Sequence, residues 1–260
     1  MGDGVVMITR HLALLLLLAV LLAGCASTGP HGGGDRDRAS EINTELGMTY
    51  LQQGNNPQAM EALQKALDQD RNNARAHGTI AVLYERLEEH DKAREHFRRS
   101  VRLDGDDPSV RNNFGRFLCN RDEYDAALEQ FSRAMADPLY ERRELPLANA
   151  GLCALRAGRE DEAEDYLRRS LEHEPTFPPA LRRMAQLRYE AGDYLSARGY
   201  MQRYREATSM NAADLWLAVR IEDALGNRDE AASYGVRLRA DYPDSEETRL
   251  YNQMRRDGRS

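Results

Sequence analysis

The chain repeats itself at a near-constant interval of 34 residues, and a period of that length limits it to a small set of stacked architectures. Ala59, Ala93, Ala127, Ala163, Ala197 and Ala231 are separated by 34, 34, 36, 34 and 34 residues. Twelve residues before each of them stand Gly47, Ala81, Gly115, Gly151, Ala185 and Val219. Four residues after stand Leu63, Phe97, Phe131, Leu167, Met201 and Gly235. Five residues before, Gly54, Gly158, Gly192 and Gly226 mark a turn in four of the six copies, and Pro175 and Pro243 close two of them.

Small residues at positions 8 and 20 of a unit, with a large apolar residue at 24, identify the tetratricopeptide repeat. The reason is packing: each unit is two antiparallel helices whose closest crossing admits only Gly or Ala, and residue 24 fills the adjacent gap. The copies are set at 40–73, 74–107, 108–141, 144–177, 178–211 and 212–245, and the two extra residues before the fourth fall in the connection ADPLYERRE. Val219 and Gly235 depart from the pattern, so copies five and six match less well than one to four. A stack of repeats needs a polar end cap. The segment 246–260 supplies one, with Leu250 and Met254 four apart to pack inward and acids first, arginines last, to suit the helix dipole. The fold class expected is therefore all-α: a right-handed superhelical solenoid of six tetratricopeptide repeats with a C-terminal capping helix.

Ahead of the repeats, residues 12–22 read LALLLLLAVLL, eleven apolar positions following Arg10 and His11. At 1.5 Å per residue that run reaches only about half way across a bilayer core, so it does not span one. It leads into Leu22-Ala23-Gly24-Cys25 and reads as a signal peptide over 1–24. LAGC resembles the bacterial lipobox, which makes Cys25 the acylated first residue of the mature chain. Two or more acyl chains give stable anchoring. The next residue is Ala26, not the Asp common in lipoproteins held at the inner membrane, and this favours the outer membrane. Residues 25–39, Gly-rich and polar, are expected to be a flexible tether.

The rest of the chain offers no chemistry. There is no HExxH, no Walker-type or dinucleotide glycine loop, and the glycines occupy repeat positions. His90 and His96 stand six apart, off ligand spacing, and read as solvated surface histidines. No cofactor, metal site or small-molecule substrate is implied, and the chain is read as a binding protein, monomeric in itself, and not as an enzyme. A net charge of −7 with arginines and glutamates interspersed leaves no basic stripe for nucleic acid.

Cys119 and Cys153 fall on the first helices of adjacent repeats, three and four. Two buried free thiols are one reading; an exported chain in an oxidising compartment favours a disulfide. Groove positions in this fold are 2, 5, 9 and 12 of each first helix. They bring forward Met48, Leu51 and Val82, then Asn112, Arg116, Arg182, Gln186, Trp216 and Arg220, a surface apolar at its amino end and basic-polar beyond. Met48 suits either the groove or packing against the second repeat. The Lys/Asn set of repeats that clamp a terminal carboxylate is missing, since Thr44 and Met48 hold positions 5 and 9 of repeat one.

Four segments, LGMTYLQQGN at 46–55, NNFGRFLCN at 112–120, ADPLY at 136–140 and NAGLCALRAG at 149–158, closely resemble the PilF/PilW family, outer-membrane lipoproteins of type IV pilus biogenesis. The resemblance implies a pilotin: a protein that binds the pilus secretin, helps it reach the outer membrane and helps it assemble. By the same resemblance Cys25 is the lipid anchor, Cys119 with Cys153 the matching cysteine pair, and the amino-terminal groove around Met48 and Leu51 the docking surface. The competing expectation keeps fold and anchor but changes the client, to β-barrel assembly components or cell-wall hydrolases.

Overall fold

The helix-start signals fall where the repeat register puts them. Pro108 and Pro178 occupy the first turn of their helices, where a missing N–H costs nothing. Asp107 caps the first of these by accepting from the Ser109 and Val110 amides. Asn211 and Asp214 form a reciprocal capping box at the sixth repeat. The computed structural model describes residues 32–136 and 140–258, which hold helices and no strand. In order these are α1 (Gly32–Gln52), α2 (Asn56–Gln69), α3 (Ala74–Arg86), α4 (His90–Leu103), α5 (Pro108–Cys119), α6 (Tyr124–Ala134) and α7 (Glu144–Arg156). They continue with α8 (Glu160–His173), α9 (Pro178–Glu190), α10 (Tyr194–Ala207), α11 (Ala212–Ala224), α12 (Arg228–Asp241) and α13 (Glu246–Asp257). Helices α3, α5, α7, α9 and α11 begin at the first residue of repeats two to six. The all-α tetratricopeptide class is the one the period required.

Two compact units divide the chain, one ending at Ala76 and the other running from His77. In the first, α1 and α2 close on Gly47. A methyl there would lie 2.6 Å from Leu63 Cγ, so only the smallest residue allows the crossing. The stripe Ser40, Thr44, Gly47 and Leu51 faces inward. Its polar members are satisfied: Ser40 Oγ donates to the Ala66 carbonyl (2.8 Å), and Asn73 Nδ2 donates to Ser40 Oγ (2.8 Å). One expectation fails here. Residues 32–39, assigned to the tether, continue α1 by two turns, with Asp35 in the first turn. Glycine's poor helix propensity argued for coil, and helix propagation from the packed part of α1 overrides it. The signal peptide, Cys25 and the first part of the tether lie outside the described residues, as do 137–139.

The second unit holds the rest. A methyl on Gly115 would fall 2.7 Å from Phe131, and one on Gly151 2.8 Å from Leu167, the same lock as in repeat one. Phe97, Phe114 and Phe117 stack with centroids 5.3 to 6.3 Å apart in the core of repeats two and three. The second core runs from repeat four to the cap. All six turn positions adopt left-handed backbone. Glycine serves at 54, 158, 192 and 226, whereas Glu88 (φ 61°) and Asp122 (φ 59°) take it without that freedom.

Repeat six explains its own departures. Val219 is fully buried, and Gly235 makes room for the cap: a methyl on it would fall 2.0 Å from the Tyr251 ring. The cap's inward face is Thr248 and Tyr251, both buried, with Met254 partly so. Leu250, expected inside, is 40% exposed, because one residue's rotation on a helix exchanges which apolar group meets the core.

Candidate partner-binding surface

The groove residues fall in both units. In the first, Met48 is half-buried beside the inward stripe, and Leu51 is on it, 8% exposed. Leu51 therefore belongs to the α1–α2 core and is withdrawn as a contact residue: it follows Gly47 by one helical turn and so faces α2 as Gly47 does. The exposed apolar groups of α1 are instead Ile42 (59%) and Leu46 (42%), one turn apart on a face the groove positions did not single out. Their four-residue spacing, out of phase with the inward stripe, was the available signal.

In the second unit the first helices carry a polar ladder from repeat to repeat. Glu85 Oε1 accepts from Asn120 Nδ2 (3.0 Å), and Glu85 Oε2 lies 3.6 Å from Arg116. Arg156 Nη1 donates to Asn120 Oδ1 (2.8 Å), and Asn149 Nδ2 donates to Asn112 Oδ1 (2.8 Å). Arg116 and Asn112 thus stand at groove positions but also join neighbouring repeats. Val82 is half-buried against the aromatic core. Cys119 and Cys153 are buried and meet on facing helices at disulfide distance, with Cα atoms 5.7 Å apart.

Farther along, Arg182 is not a free groove cation. It ion-pairs with the fully buried Asp214, which also accepts from Tyr204 (2.9 Å) and the Asn211 amide (3.1 Å). Burial, and then the Asp214 carboxylate, push the Tyr204 phenol up to about 12. A buried charge needs partners of this kind, and the network ties α9, α10 and α11 together. Gln186 hydrogen-bonds Glu190 (2.9 Å). Arg220 lies over the rings of Tyr189 (4.9 Å) and Trp216 (5.6 Å). Beside them opens a cavity of about 600 Å³ lined by Tyr189, Trp216, Arg220, Leu250 and Met254. Trp216 and Arg220 were legible at groove positions 5 and 9. The cap's contribution was not, because it depends on how α13 rotates.

His96 is half-buried and not solvated as expected, with its Nδ1 2.9 Å from His77 Nδ1 and its ring against Tyr84. Burial, and then the neighbouring His77, lower its pKa, with Glu95 opposing. Among the described residues no cluster of three His, Cys, Asp or Glu is placed to hold a metal, and no helix is long and apolar enough to cross a membrane.

Comparison with known proteins agrees with this geometry. The tetratricopeptide repeat family matches twice, at residues 44–108 and 154–219. The chain is 35% identical over 241 residues to the type IV pilus assembly protein PilF of Pseudomonas aeruginosa, covering 91% of this chain and 96% of that protein. The solved structure of Pseudomonas aeruginosa PilF superposes with a TM-score of 0.78 at 34% identity, over 85% of this chain and 99% of that one. PilW, described as a widely conserved type IV pilus biogenesis factor, gives 0.74 at 35% identity, over 81% and 97%.

Proposed function

The chain belongs to the PilF/PilW family of tetratricopeptide proteins, and from that premise we propose that it is a lipoprotein acylated at Cys25 and held on the periplasmic face of the outer membrane, where it serves as pilotin for the type IV pilus secretin. The observation that carries this reading is identity sustained over 91% of the chain to a pilus assembly protein. The chain is a tetratricopeptide scaffold of pilus biogenesis.

The chemistry supports a scaffold and not a catalyst. The first helices of the second unit present side chains that join repeats, and the Tyr204 phenol is packed in a structural network with Asp214 and Arg182. The LAGC motif supports acylation at Cys25. A protein held at a membrane raises the effective concentration of whatever it binds at that membrane, with no further contact needed. Docking then falls to Met48 in the first unit and to Val82, Asn112 and Arg116 in the second. An oxidised Cys119–Cys153 pair pins repeats three and four so that the second unit meets its client as a stiff surface.

Replacing the anchor tests this directly. Cys25→Ser is expected to yield a soluble protein that still co-purifies with secretin, while secretin multimers disappear from the outer membrane. Outer-membrane multimers at normal abundance in that variant would contradict the reading.

A further inference from the structure

The first helices of repeats four to six carry three arginines held by neutral or aromatic groups. Arg156 is exposed and donates only to the neutral Asn120. Arg183 donates to Gln186 Oε1 (3.1 Å), and burial, followed by the nearby charges of Arg182 and Arg156, lowers its pKa, with Glu190 opposing. Arg220 is held by the Tyr189 and Trp216 rings, and its Nε is buried with no hydrogen-bond partner. Among the described residues none of the three is ion-paired with a carboxylate. Their neighbours Arg182 and Arg188 are paired, to Asp214 and Glu164. In a chain of net charge −7, with acids to spare, Arg183 is set near the like charges of Arg182 and Arg156.

Arg220 lines the cavity of about 600 Å³, whose Tyr189, Trp216, Leu250 and Met254 walls are apolar or aromatic. Asp223 and Asp257 also line it, and the exposed Glu190 is engaged by Gln186. Trp, Tyr and Arg are the residues that dominate binding hot spots, because they bury large area at low entropic cost. Guanidinium groups take carboxylates in bidentate pairs.

We propose that this face of the second unit is a docking site for an acidic, extended peptide segment of a partner protein. Its carboxylates pair with Arg156, Arg183 and Arg220, and one aromatic or aliphatic residue is anchored in the Tyr189–Trp216–Leu250–Met254 cavity. The occupant follows from charge complementarity to the three arginines and from the apolar and aromatic part of the cavity wall. The site is separate from the docking residues assigned to secretin above and stands whichever protein carries the segment.

The test uses the full chain in mild detergent. The probe is a fluorescein-labelled dodecapeptide of Asp, Glu, Gly and Ser around a single Leu-Phe pair. Three control peptides replace the acids by Asn and Gln, the acids by Lys, or the Leu-Phe pair by Ser-Ser. Saturable binding of the acidic Leu-Phe peptide is expected, weakened about tenfold by Arg156→Glu and about tenfold by Trp216→Ala, and weakened again as salt rises from about 50 to about 300 mM. Arg156→Glu and Leu250→Ser alter exposed side chains, so an unchanged melting curve separates lost binding from lost fold. The proposal is overturned if the neutral or Lys peptide binds equally well, if Arg156→Glu changes nothing, or if anionic phospholipid vesicles bind and the acidic peptide does not.

Discussion

Repeat four and repeat six solve the same packing problem with their volumes in different places. In repeat four the helices cross at Gly151 and the large residue, Leu167, comes from the second helix of the same repeat. In repeat six the first helix supplies the fully buried Val219, the second supplies Gly235, and the ring that fills the space beside it belongs to the cap, as Tyr251. An interior repeat is followed by another copy of itself, whereas the last is followed by a helix of different sequence. Complementary volume is what the fold holds fixed; which position is small depends on what stacks next.

The largest effect should come from the cap. Tyr251→Ala is expected to cost about 4 kcal/mol by opening a cavity at a buried aromatic site, measured by urea unfolding. Gly235→Ala alone should cost about 2 kcal/mol through overlap with that ring, and close to nothing when Tyr251 is already Ala. If the two costs simply add, Gly235 is not there for Tyr251 and the contrast with repeat four collapses. Next in size, Cys119→Ser is expected to lose about 3 kcal/mol under oxidising conditions and nothing after reduction of both proteins, in keeping with the loop the pair closes. Gly151→Ala should follow at about 2 kcal/mol, since Leu167 and the Ala163 carbonyl leave its methyl no room.

Smaller still are the turns. Glu88→Gly and Asp122→Gly are expected to stabilise by up to about 1 kcal/mol each, because both non-glycine residues hold a left-handed backbone. Gly192→Ala should lose a similar amount. Last comes pH. His96 has its pKa lowered by burial and by His77, so folding favours its neutral form. That contribution is complete above the ordinary imidazole pKa of about 6.5 and is lost as pH falls below it. The fall in melting temperature between pH 7.5 and pH 5.5 should therefore be larger for the native chain than for His96→Gln, with His77, Tyr84 and Glu95 the groups facing the ring.

The helix starts of repeats two to six were legible from sequence. Five helices begin at the predicted repeat starts, because a 34-residue period and its small–large grammar are local, redundant and copied. What escaped depends on a single rotation or on a partner outside the pattern. Leu51 and Leu250 are apolar residues one helical step from where they were placed, and no repeat averages out such an error. The eight residues before Ser40 looked too glycine-rich for helix and are helical as an extension of α1. The arginines and the cavity were half visible, as Trp216 and Arg220 at groove positions. Tyr189 and the cap's side of the cavity needed coordinates.

Affinity purification of the full chain from mildly solubilised outer membranes, followed by identification of what accompanies it, tests the pilotin assignment most directly. Recovery of the pilus secretin, together with its loss from the outer membrane when this gene is deleted, is the expected result. Recovery of barrel-assembly components or cell-wall hydrolases without secretin would leave the scaffold standing and contradict the assignment.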